Sequence, residues 1–363
     1  MKKILFYIDH RNRGGAQRVM VELANYFAKE PEYDIVFATQ MKSSEKAYSL
    51  KTNVKEVVLE DRSQVGFFKK QMCRIEMLRS LCQDEKPDII VSFLIITNLI
   101  ALIVGKKENI PVLISVRNDP THDHSKVLHV LMRYLYPRAA GWVFQTEDAR
   151  MYFKSWIKGE SEVILNPISQ DVICEIENGK ITGENENNIV AVGRLDKQKR
   201  HDLLIKAFSE MSKIYTDCKL VIYGDGPLRM ELNKLVEDLE LQGRVVMPGI
   251  TEHIVEKIRA AKLFVMSSDY EGMPNALLEA MAIGLPVIST DCPCGGPRML
   301  ISHEDNGLLV PVGNEESLKN AMILLLEEKE LRENISNNAC SVRELCSIDK
   351  IGAQWERIIN KCI

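Results

Sequence analysis

Residues 189–226 read IVAVGRLDKQKRHDLLIKAFSEMSKIYTDCKLVIYGDG, and the fold can be inferred from this stretch. Residues 190–192 and 220–223 are short apolar runs, and residues 201–215 between them repeat apolar side chains at helical spacing. Strands buried on both faces of a parallel sheet have this continuous apolar character, and parallel neighbours need a helical crossover. The stretch therefore predicts one strand–helix–strand unit of a doubly wound α/β sheet.

The same alternation continues on both sides of this stretch. Downstream, apolar runs and helical patterns occupy residues 228–239, 245–247, 253–261, 263–266, 275–283, 286–290, 307–310 and 315–326. Upstream, they occupy residues 4–8, 16–29, 35–39, 89–95, 97–107, 112–116 and 141–145. We predict two Rossmann-like domains, residues 1–165 and 189–347, joined by a polar linker, residues 166–188. Two such domains can face one another across a cleft at the carboxyl ends of their strands, where a ligand would bind.

The composition is that of an ordinary globular protein. The chain has 363 residues, 45% hydrophobic and 27% charged, which suits two domains. A formal net charge of -4 argues against a nucleic-acid-binding protein. Residues 1–165 carry 25 Lys and Arg against 20 Asp and Glu, whereas the remainder carries 22 against 31. Either the first half meets an anionic partner, or the asymmetry is a chance property of solvated surfaces.

Neither the cysteines nor the apolar segments indicate a secreted or membrane-spanning protein. The nine cysteines include no Cys-x-x-Cys pair, so no zinc site or disulfide framework is predicted. Residues 4–8 are too short for the core of a signal peptide, and we expect a cytoplasmic location. Residues 89–104 are almost wholly apolar, but the run is short for a membrane span, and a buried strand followed by a helix explains it better.

Loops that follow predicted strands carry glycine and polar residues, the composition that a phosphate or sugar site requires. Gly14 and Gly15 precede helix 16–29, where backbone N–H groups at a helix start can hold an anion. Their spacing does not fit Gly-x-Gly-x-x-Gly, and a tight turn without a ligand is the alternative. Gly224 begins Gly-Asp-Gly-Pro, which either starts a helix at its proline or brings backbone close to a nucleotide.

A pair of cations follows the strand at residues 190–192. Arg194 presents a planar guanidinium and Lys199 presents a point charge. Together they can hold both phosphates of a diphosphate and neutralise it as a leaving group. The alternative interpretation is a solvated basic turn.

The most specific pattern is residues 271–282. Glu271 lies in a loop, a helix begins near Pro274, and Glu279 falls on the second turn of that helix. One carboxylate can reach a sugar and the other a ribose, while the helix N-terminus faces a diphosphate. Surface carboxylates on a solvated helix are the alternative, but that interpretation leaves the otherwise apolar helix unexplained.

At these residues the chain resembles the GT-B-fold retaining glycosyltransferases of glycosyltransferase family four, and the resemblance covers most of its length. It implies that Arg194 and Lys199 bind the donor diphosphate, that Glu279 binds the ribose, and that Glu271 binds hydroxyls of the transferred sugar. Arg194, Lys199 and Glu271 are the catalytic residues that it implies. Further donor contacts are implied at Gly14, Gly15, Gly224, Gly272, Met273, Pro274, Asn275 and Ala276. The last helix, within residues 348–363, is expected to return to the first domain.

One loop departs from the family pattern. Many members place a histidine after the strand equivalent to 112–116, whereas this chain reads Ser-Val-Arg-Asn-Asp-Pro at residues 115–120. Arg117 and Asn118 are therefore candidates for contact with the sugar or the acceptor, with His122 and His124 as neighbours. The alternative is an Asn-Asp-Pro turn that shapes the loop.

Residues 115–120, 271–282 and 291–298 together resemble bacterial enzymes that build surface polysaccharides such as capsule and lipopolysaccharide. This implies a UDP-sugar donor (UDP-GalNAc, UDP-Gal or UDP-GlcNAc) and an acceptor that is a saccharide or an undecaprenyl-diphosphate-linked saccharide. The family also implies retention of anomeric configuration, with a leaving phosphate oxygen as the base. The chain contains no Asp-x-Asp motif, so neither a metal nor a cofactor is expected.

The anionic inner face of the plasma membrane is a further expected partner of the first domain. Residues 62–81 combine Lys69, Lys70, Arg74 and Arg79 with apolar residues in an amphipathic pattern that is compatible with lying on anionic lipid. An ordinary helix packed on the first sheet also explains this pattern.

Two other functions share this architecture. A nucleotide-sugar 2-epimerase binds the same kind of donor without an acceptor, and a non-catalytic nucleotide-sugar-binding protein keeps the donor contacts without turnover. The combination of Arg194, Lys199, Glu271 and Glu279 argues against the epimerase. Release of UDP only when an acceptor is present would distinguish a transferase from both.

Overall fold

A computed structural model describes residues 1–12, 14–44, 47–59, 66–122, 126–178 and 187–363, except for the side chains of residues 67 and 68. Its strands are β1 Lys2–Ile8, β2 Tyr33–Thr39, β3 Lys55–Val58, β4 Ile89–Phe93, β5 Val112–Val116, β6 Gly141–Phe144, β7 Glu160–Val163, β8 Asn188–Val192, β9 Lys219–Tyr223, β10 Val245–Gly249, β11 Leu263–Met266, β12 Val287–Thr290 and β13 Leu308–Val310.

The helices are α1 Gly15–Phe27, α2 Phe67–Glu85, α3 Ile95–Glu108, α4 Lys126–Leu135, α5 Glu147–Tyr152, α6 Gln170–Asn178, α7 His201–Ser212, α8 Arg229–Asp238, α9 Ile254–Ile258, α10 Asn275–Ile283, α11 Gly296–Leu300, α12 Glu315–Glu327, α13 Lys329–Ala339, α14 Val342–Leu345 and α15 Ile348–Cys362. A 3₁₀ turn, Tyr136–Arg138, follows α4. The chain divides into a first unit, residues 1–169 with 346–363, and a second unit, residues 170–345.

The first unit is built on a seven-stranded parallel sheet. Its strand order is β3-β2-β1-β4-β5-β6-β7, and β1 pairs with both β2 and β4. Ile4 lies opposite Ile35 on one side and Ile89 on the other, and all three side chains are fully buried. Central strands covered by helices on both faces need such unbroken apolar runs, which is why these strands could be read from the sequence.

Helix α15 belongs to the first unit and packs on α1, β5, β6 and β7. Trp355 is fully buried, and its ring centroid lies 5.5 Å from that of Phe93 on β4. Gly352 allows the close contact with α1, since a Cβ at this position would lie 2.4 Å from the Tyr26 ring. The C-terminal helix is therefore part of the first hydrophobic core.

The second unit is built on a six-stranded parallel sheet of order β10-β9-β8-β11-β12-β13. Ile189 on β8 lies opposite Leu220 on β9 and Leu263 on β11, and all three side chains are fully buried. Phe208 and Met211 of α7 complete this core from one face. The two sheets match the predicted class of two Rossmann-like domains.

The structure differs from the sequence analysis in the expected linker. Residues 170–178 form helix α6, which packs on α9 and α10 within the second unit. The Arg259 guanidinium donates to the carbonyl of Ile176 at 2.9 Å, which ties α6 to the end of α9. The rest of the expected linker includes residues 179–186, which lie outside the described part of the chain.

Residues 89–104 form β4 and the first part of α3, as expected from their sequence. Among the described residues, no helix combines the length and apolar character needed to cross a bilayer. Strands β3 and β7 were not predicted from the sequence, and both lie at edges of the first sheet. Their residues are largely exposed or half-buried, so they lack the apolar runs that mark central strands.

Candidate functional site

The predicted donor residues lie in loops at one edge of the second sheet. The order of this sheet reverses between β8 and β11, which pair in parallel although β9 and β10 intervene in sequence. Open α/β sheets bind ligands at the carboxyl ends of strands beside such a reversal. Arg194 and Lys199 follow β8, and Glu271 follows β11. Helices α10 and α11 begin in the loops after β11 and β12.

The loops after β8 and β9 interlock through their backbones. The Leu195 amide donates to the carbonyl of Asp225 at 3.0 Å, and the Leu228 amide donates to the carbonyl of Leu195 at 3.0 Å. Gly224 has φ +146°, and a Cβ at this position would lie 1.9 Å from the carbonyl oxygen of Gly193. Glycine is required there for both reasons, so Gly224 fixes the path of the loop that carries Arg194.

The loop after β8 is also tied to the loop after β11. Arg200 has a left-handed backbone and forms ion pairs with Asp202 at 3.1 Å and with Asp269 at 3.0 Å. The Ser267 hydroxyl donates to the carbonyl of Lys199 at 2.9 Å, and the Gln198 side chain donates to the carbonyl of Tyr270 at 2.8 Å. These contacts hold Lys199 against the segment that carries Glu271.

Lys199 and Glu271 form an ion pair between their Nζ and Oε1 atoms. The Ser268 hydroxyl donates to the same Oε1 atom at 2.7 Å. The side chains of Lys199 and Glu271 are 19% and 9% exposed, so this charged cluster is largely removed from water. Burial makes electrostatic interactions stronger here than on the surface. Both described contacts use Oε1, so Oε2 can accept a hydrogen bond from a sugar hydroxyl.

Arg194 has a different environment from Lys199. Its side chain is 70% exposed, and its Nε atom lies 3.9 Å from Asp196, the weak end of ion-pair distances. A guanidinium presents five donors, most of which a pair of this geometry leaves unused. The two predicted phosphate-binding cations are therefore one half-buried, paired ammonium and one exposed guanidinium.

Helix α10 presents its N-terminus and a buried glutamate. Pro274 is the N-cap residue and makes no side-chain hydrogen bond to the start of the helix. Gly272 and Met273 lie in the buried loop before it. Glu279 lies on the second turn and is 6% exposed. The pKa of Glu175 on α6 is raised, mainly because Glu175 is partly buried, and the negative charge of Glu279 adds to this increase. Because Glu271 and Glu279 are both buried, the interpretation as surface carboxylates is wrong.

His201 is a site neighbour that the sequence analysis missed. It begins α7 directly after the loop of Lys199 and is 4% exposed. Burial, with a further effect from the Lys199 charge, lowers the pKa of His201 to about 4, so its imidazole is neutral near pH 7. A polar residue on the buried side of a predicted helix was the signal that could have identified it.

Cys292 is a second missed neighbour, and it begins the turn after β12. It is fully buried, and burial together with the nearby Glu271 charge raises the pKa of its thiol to about 12. The thiol is therefore protonated at neutral pH. All nine cysteines occupy described positions, and none of them forms a disulfide bond. The described residues contain no cluster of three or more His, Cys, Asp or Glu side chains placed to hold a metal ion.

Gly14 and Gly15 lie at the start of α1 in the first unit. Gly14 is the N-cap residue, with extended backbone, and Gly15 is the first helical residue. The Gln17 side chain on the first turn donates to Asp9 at 3.0 Å. This contact fixes the helix start beside the end of β1, the place that the sequence analysis expected to face an anion.

Two candidate residues of the loop after β5, Arg117 and His122, contact other residues of the first unit. Arg117 donates to Asn166 at 2.8 Å, lies 4.4 Å over the Phe93 ring and has its pKa lowered by burial. Asp119 is 2% exposed, accepts from the Thr121 amide at 2.8 Å and lies 3.1 Å from the His122 ring. The contacts of Asp119 are those of the loop-shaping Asn-Asp-Pro turn, whereas Arg117 contacts residues outside this loop.

Asn118, the remaining candidate in this loop, is exposed. His124 lies outside the described residues. The structure thus pairs Lys199 with Glu271, places the other candidates from Arg194 to Glu279 in the same second unit, and places Gly14, Gly15 and the candidates after β5 in the first unit.

Helix α2 contains the part of residues 62–81 that the structure describes, which excludes residues 62–65 and the side chains of residues 67 and 68. Ile75, Leu78 and Leu81 are buried, and Arg74 is 8% exposed. Arg79 forms an ion pair with Glu108 on α3. This apolar face packs inside the first unit, as the interpretation as a packed helix expects.

Both halves of the chain match sequence families of glycosyltransferases. Residues 13–172 match Glycosyltransferase Family 4, and residues 175–342 match Glycosyl transferases group 1. A Campylobacter jejuni relative is 30% identical over 365 residues, which cover 99% of this chain and 98% of the relative. That protein is named GalNAc-α-(1→4)-GalNAc-α-(1→3)-diNAcBac-PP-undecaprenol α-1,4-N-acetyl-D-galactosaminyltransferase. The chain belongs to glycosyltransferase family four.

This family-four glycosyltransferase has a second Campylobacter jejuni relative, which is 29% identical over 350 residues. The aligned region covers 93% of this chain and 94% of the relative. It is named N-acetylgalactosamine-N,N'-diacetylbacillosaminyl-diphospho-undecaprenol 4-α-N-acetylgalactosaminyltransferase. Among solved structures, sucrose-phosphate synthase of Thermosynechococcus elongatus aligns with a TM-score of 0.83 at 17% identity, over 99% of this chain and 98% of that one.

Anabaena HepE in complex with UDP aligns with this family-four chain at a TM-score of 0.78 and 19% identity, over 99% of this chain and all of HepE. The likeness to these structures confirms the predicted GT-B fold class.

Proposed function

We propose that this family-four glycosyltransferase moves a hexose or N-acetylhexosamine from a UDP-sugar to a lipid-linked saccharide, with retention and without a metal ion. The observation that carries the proposal is the buried pair of Lys199 and Glu271, which lies beside exposed Arg194 at the reversal of the second sheet. A cation pair for phosphates and a buried carboxylate for sugar hydroxyls are the groups that a nucleotide-sugar site needs.

Each group has a defined part in the proposed donor complex. Lys199 has three ammonium donors, and Glu271 uses one of them, so the other two can reach a phosphate oxygen. Arg194 can bind the diphosphate as a planar fork. The N–H groups at the start of α10 add a positive field, and Glu279 can accept hydrogen bonds from the ribose.

The relatives support the choice of substrates. The names of both Campylobacter jejuni relatives specify transfer of N-acetylgalactosamine to a saccharide on undecaprenyl diphosphate. UDP-GalNAc is therefore the first donor to test, with UDP-GlcNAc and UDP-Gal as the alternatives. A lipid-linked acceptor would place the enzyme at the inner face of the plasma membrane in the assembly of a bacterial surface glycan.

The proposed reaction is a displacement on one face of the sugar. The acceptor hydroxyl oxygen bonds to the anomeric carbon as the bond from that carbon to the β-phosphate oxygen breaks, so UDP leaves with the bonding electron pair. A phosphate oxygen takes the proton of the hydroxyl. Arg194 and Lys199 stabilise the charge that develops on the diphosphate, which is the part that a metal ion plays in other transferases.

The test is turnover of purified protein with each UDP-sugar and an undecaprenyl-diphosphate-linked disaccharide, with and without EDTA. We expect UDP release that requires the acceptor, a product with the anomeric configuration of the donor, and equal rates in EDTA. UDP release without acceptor, an inverted product or a rate abolished by EDTA would each contradict the corresponding part of the proposal.

A further inference from the structure

Helix α4, with sequence KVLHVLMRYL, carries apolar side chains on two different faces. Met132 is 2% exposed and faces the core, with the half-buried Leu128 and Leu135 on the same side. A second set points to solvent and forms what we call the outer stripe. Its members and their exposed fractions are Val127 64%, Val130 65%, Leu131 43% and Tyr134 65%.

The outer stripe is continuous along the helix. Its residues have the spacing i, i+3, i+4 and i+7, which places them on one face over two turns. A surface helix of a globular protein normally has polar residues on this face. A contiguous apolar face exposed to solvent marks an interaction surface, whereas single exposed apolar residues do not.

Helix α4 is anchored, so the outer stripe cannot turn inward without loss of packing. The His129 ring makes an edge contact with Trp156 at 5.4 Å between centroids. Tyr136, in the turn after the helix, is 1% exposed and packs on Trp142 and Phe153. The orientation of the stripe toward solvent is therefore fixed by the core of the first unit.

The charged residues of α4 and of the turn after it are basic. Lys126 and Arg133, both exposed, are seven residues apart and flank the stripe on one side. Arg138, just beyond the helix, lies 4.0 Å over the Tyr134 ring. The ten residues of α4 include no Asp or Glu. An apolar stripe edged by Lys and Arg complements the boundary between acyl chains and anionic headgroups.

The size of the outer stripe distinguishes between two possible partners, a second copy of the chain and a lipid surface. A helix of ten residues is about 15 Å long, and its one face covers far less than the roughly 800 Å² per partner that a stable dimer needs. A single interfacial helix can, in contrast, add to membrane binding through a few apolar side chains and nearby cations. The same set of residues suits a lipid surface better than a second copy of the chain.

We propose that the outer stripe of α4 docks the protein on an anionic lipid bilayer, with Val127, Val130, Leu131 and Tyr134 at the depth of the acyl boundary and Lys126 and Arg133 at the headgroups. The choice of a lipid bilayer as the partner rests on the proposed lipid-linked acceptor. The proposal identifies the surface of the protein that contacts the membrane holding that acceptor. This assigns lipid contact to α4 in place of α2.

The test is co-sedimentation of the full chain with vesicles, without donor or acceptor. We expect binding to phosphatidylglycerol–phosphatidylcholine vesicles and much weaker binding to phosphatidylcholine alone. Val130→Glu with Tyr134→Glu should lower the affinity by at least about a hundredfold, and Lys126→Ala with Arg133→Ala by roughly thirtyfold. Ile214→Glu, an equally exposed apolar position in the second unit, is the matched control and should bind as the wild type does.

Binding unchanged in both double variants would overturn the proposal, as would absence of binding by the wild type. A stripe variant that instead converts a dimer to a monomer would assign the stripe to a second copy and also overturn it. Melting temperatures and turnover of a detergent-dissolved acceptor should stay at wild-type values in the stripe variants. Vesicle binding without turnover of any donor would instead refute the proposed function and leave this docking surface standing.

Discussion

Lys199 and Glu271, which lie in different loops of the second unit, form an ion pair from which water is largely excluded. Removing two charges from water costs free energy that their attraction often fails to recover, so a buried pair is poor evidence of a purely structural role. At the carboxyl ends of two neighbouring strands, the pair has the place and the charges expected of a donor site. The predictions below separate this role from one in stability.

Loss of the Lys199 ammonium should reduce catalysis strongly. We expect Lys199→Ala to lower kcat/KM by about a hundredfold to a thousandfold, because the leaving diphosphate loses a preorganised cation. Steady-state release of UDP with saturating acceptor measures this. Lys197→Ala removes an exposed lysine two residues away and should change kcat/KM by less than about twofold. Equal activities of the two variants would contradict the assigned role of Lys199.

Arg194 should not be replaceable by lysine. A lysine keeps the charge but loses the planar fork that binds two phosphate oxygens. We expect Arg194→Lys to weaken UDP binding by about tenfold, and Arg194→Ala to weaken it further because alanine also removes the charge. The fold should tolerate both changes, since the side chain is 70% exposed. Isothermal titration with UDP gives both affinities. Wild-type affinity in Arg194→Lys would show that charge alone matters.

His201 should make the second unit sensitive to acid. Its pKa is lowered from 6.5 to about 4 in the folded protein, so the unfolded chain binds more protons between these values and stability falls as pH falls through that window. From pH 7 to pH 5 the loss from this group is about 2 kcal/mol. His201→Gln should show a smaller decrease in melting temperature over this range than the wild type. An identical decrease in both proteins would refute the prediction.

The contact of α15 with α1 should depend on the absence of a side chain at Gly352. We expect Gly352→Ala to lower stability by about 1 to 3 kcal/mol, because its Cβ would overlap the Tyr26 ring. Thermal unfolding measures the loss, and Ala353→Ser, at the exposed neighbouring position, serves as the control. The double variant Gly352→Ala with Tyr26→Ala should lose less than the two single changes added together. Additive losses would show that the overlap is relieved elsewhere.

The central strands and the donor loops could be predicted from sequence because each carries a local pattern. Strand β8 is an apolar run, and the loop after it contains Arg194 and Lys199 at fixed spacing. The segment from Glu271 to Glu279 is apolar except for Glu271, Asn275 and Glu279, and the two glutamates are buried. Such patterns can be recognised without knowledge of the fold, because the helix or strand that contains each residue determines the spacing of its buried positions.

Other features depend on contacts between residues distant in sequence and were therefore missed. Edge strand β7 has the residues Glu-Ser-Glu-Val and forms because β6 offers an open edge for pairing. The turn after β5 closes on Asp119, and His122 contacts Asp119 while Arg117 contacts Asn166, a residue 49 positions away in sequence. The exposed stripe of α4 resembles a buried helix in sequence, since apolar periodicity does not reveal which face meets the core.

The most direct test of a donor site in the second unit is thermal stabilisation by a panel of UDP- and GDP-sugars. The wild type is compared with Glu279→Ala, which removes the buried carboxylate of α10, and with Glu256→Ala, which removes an exposed one. We predict that one UDP-sugar raises the melting temperature of the wild type and of Glu256→Ala, and that Glu279→Ala loses this rise. A wild type that no nucleotide sugar stabilises would contradict the assignment of a donor site.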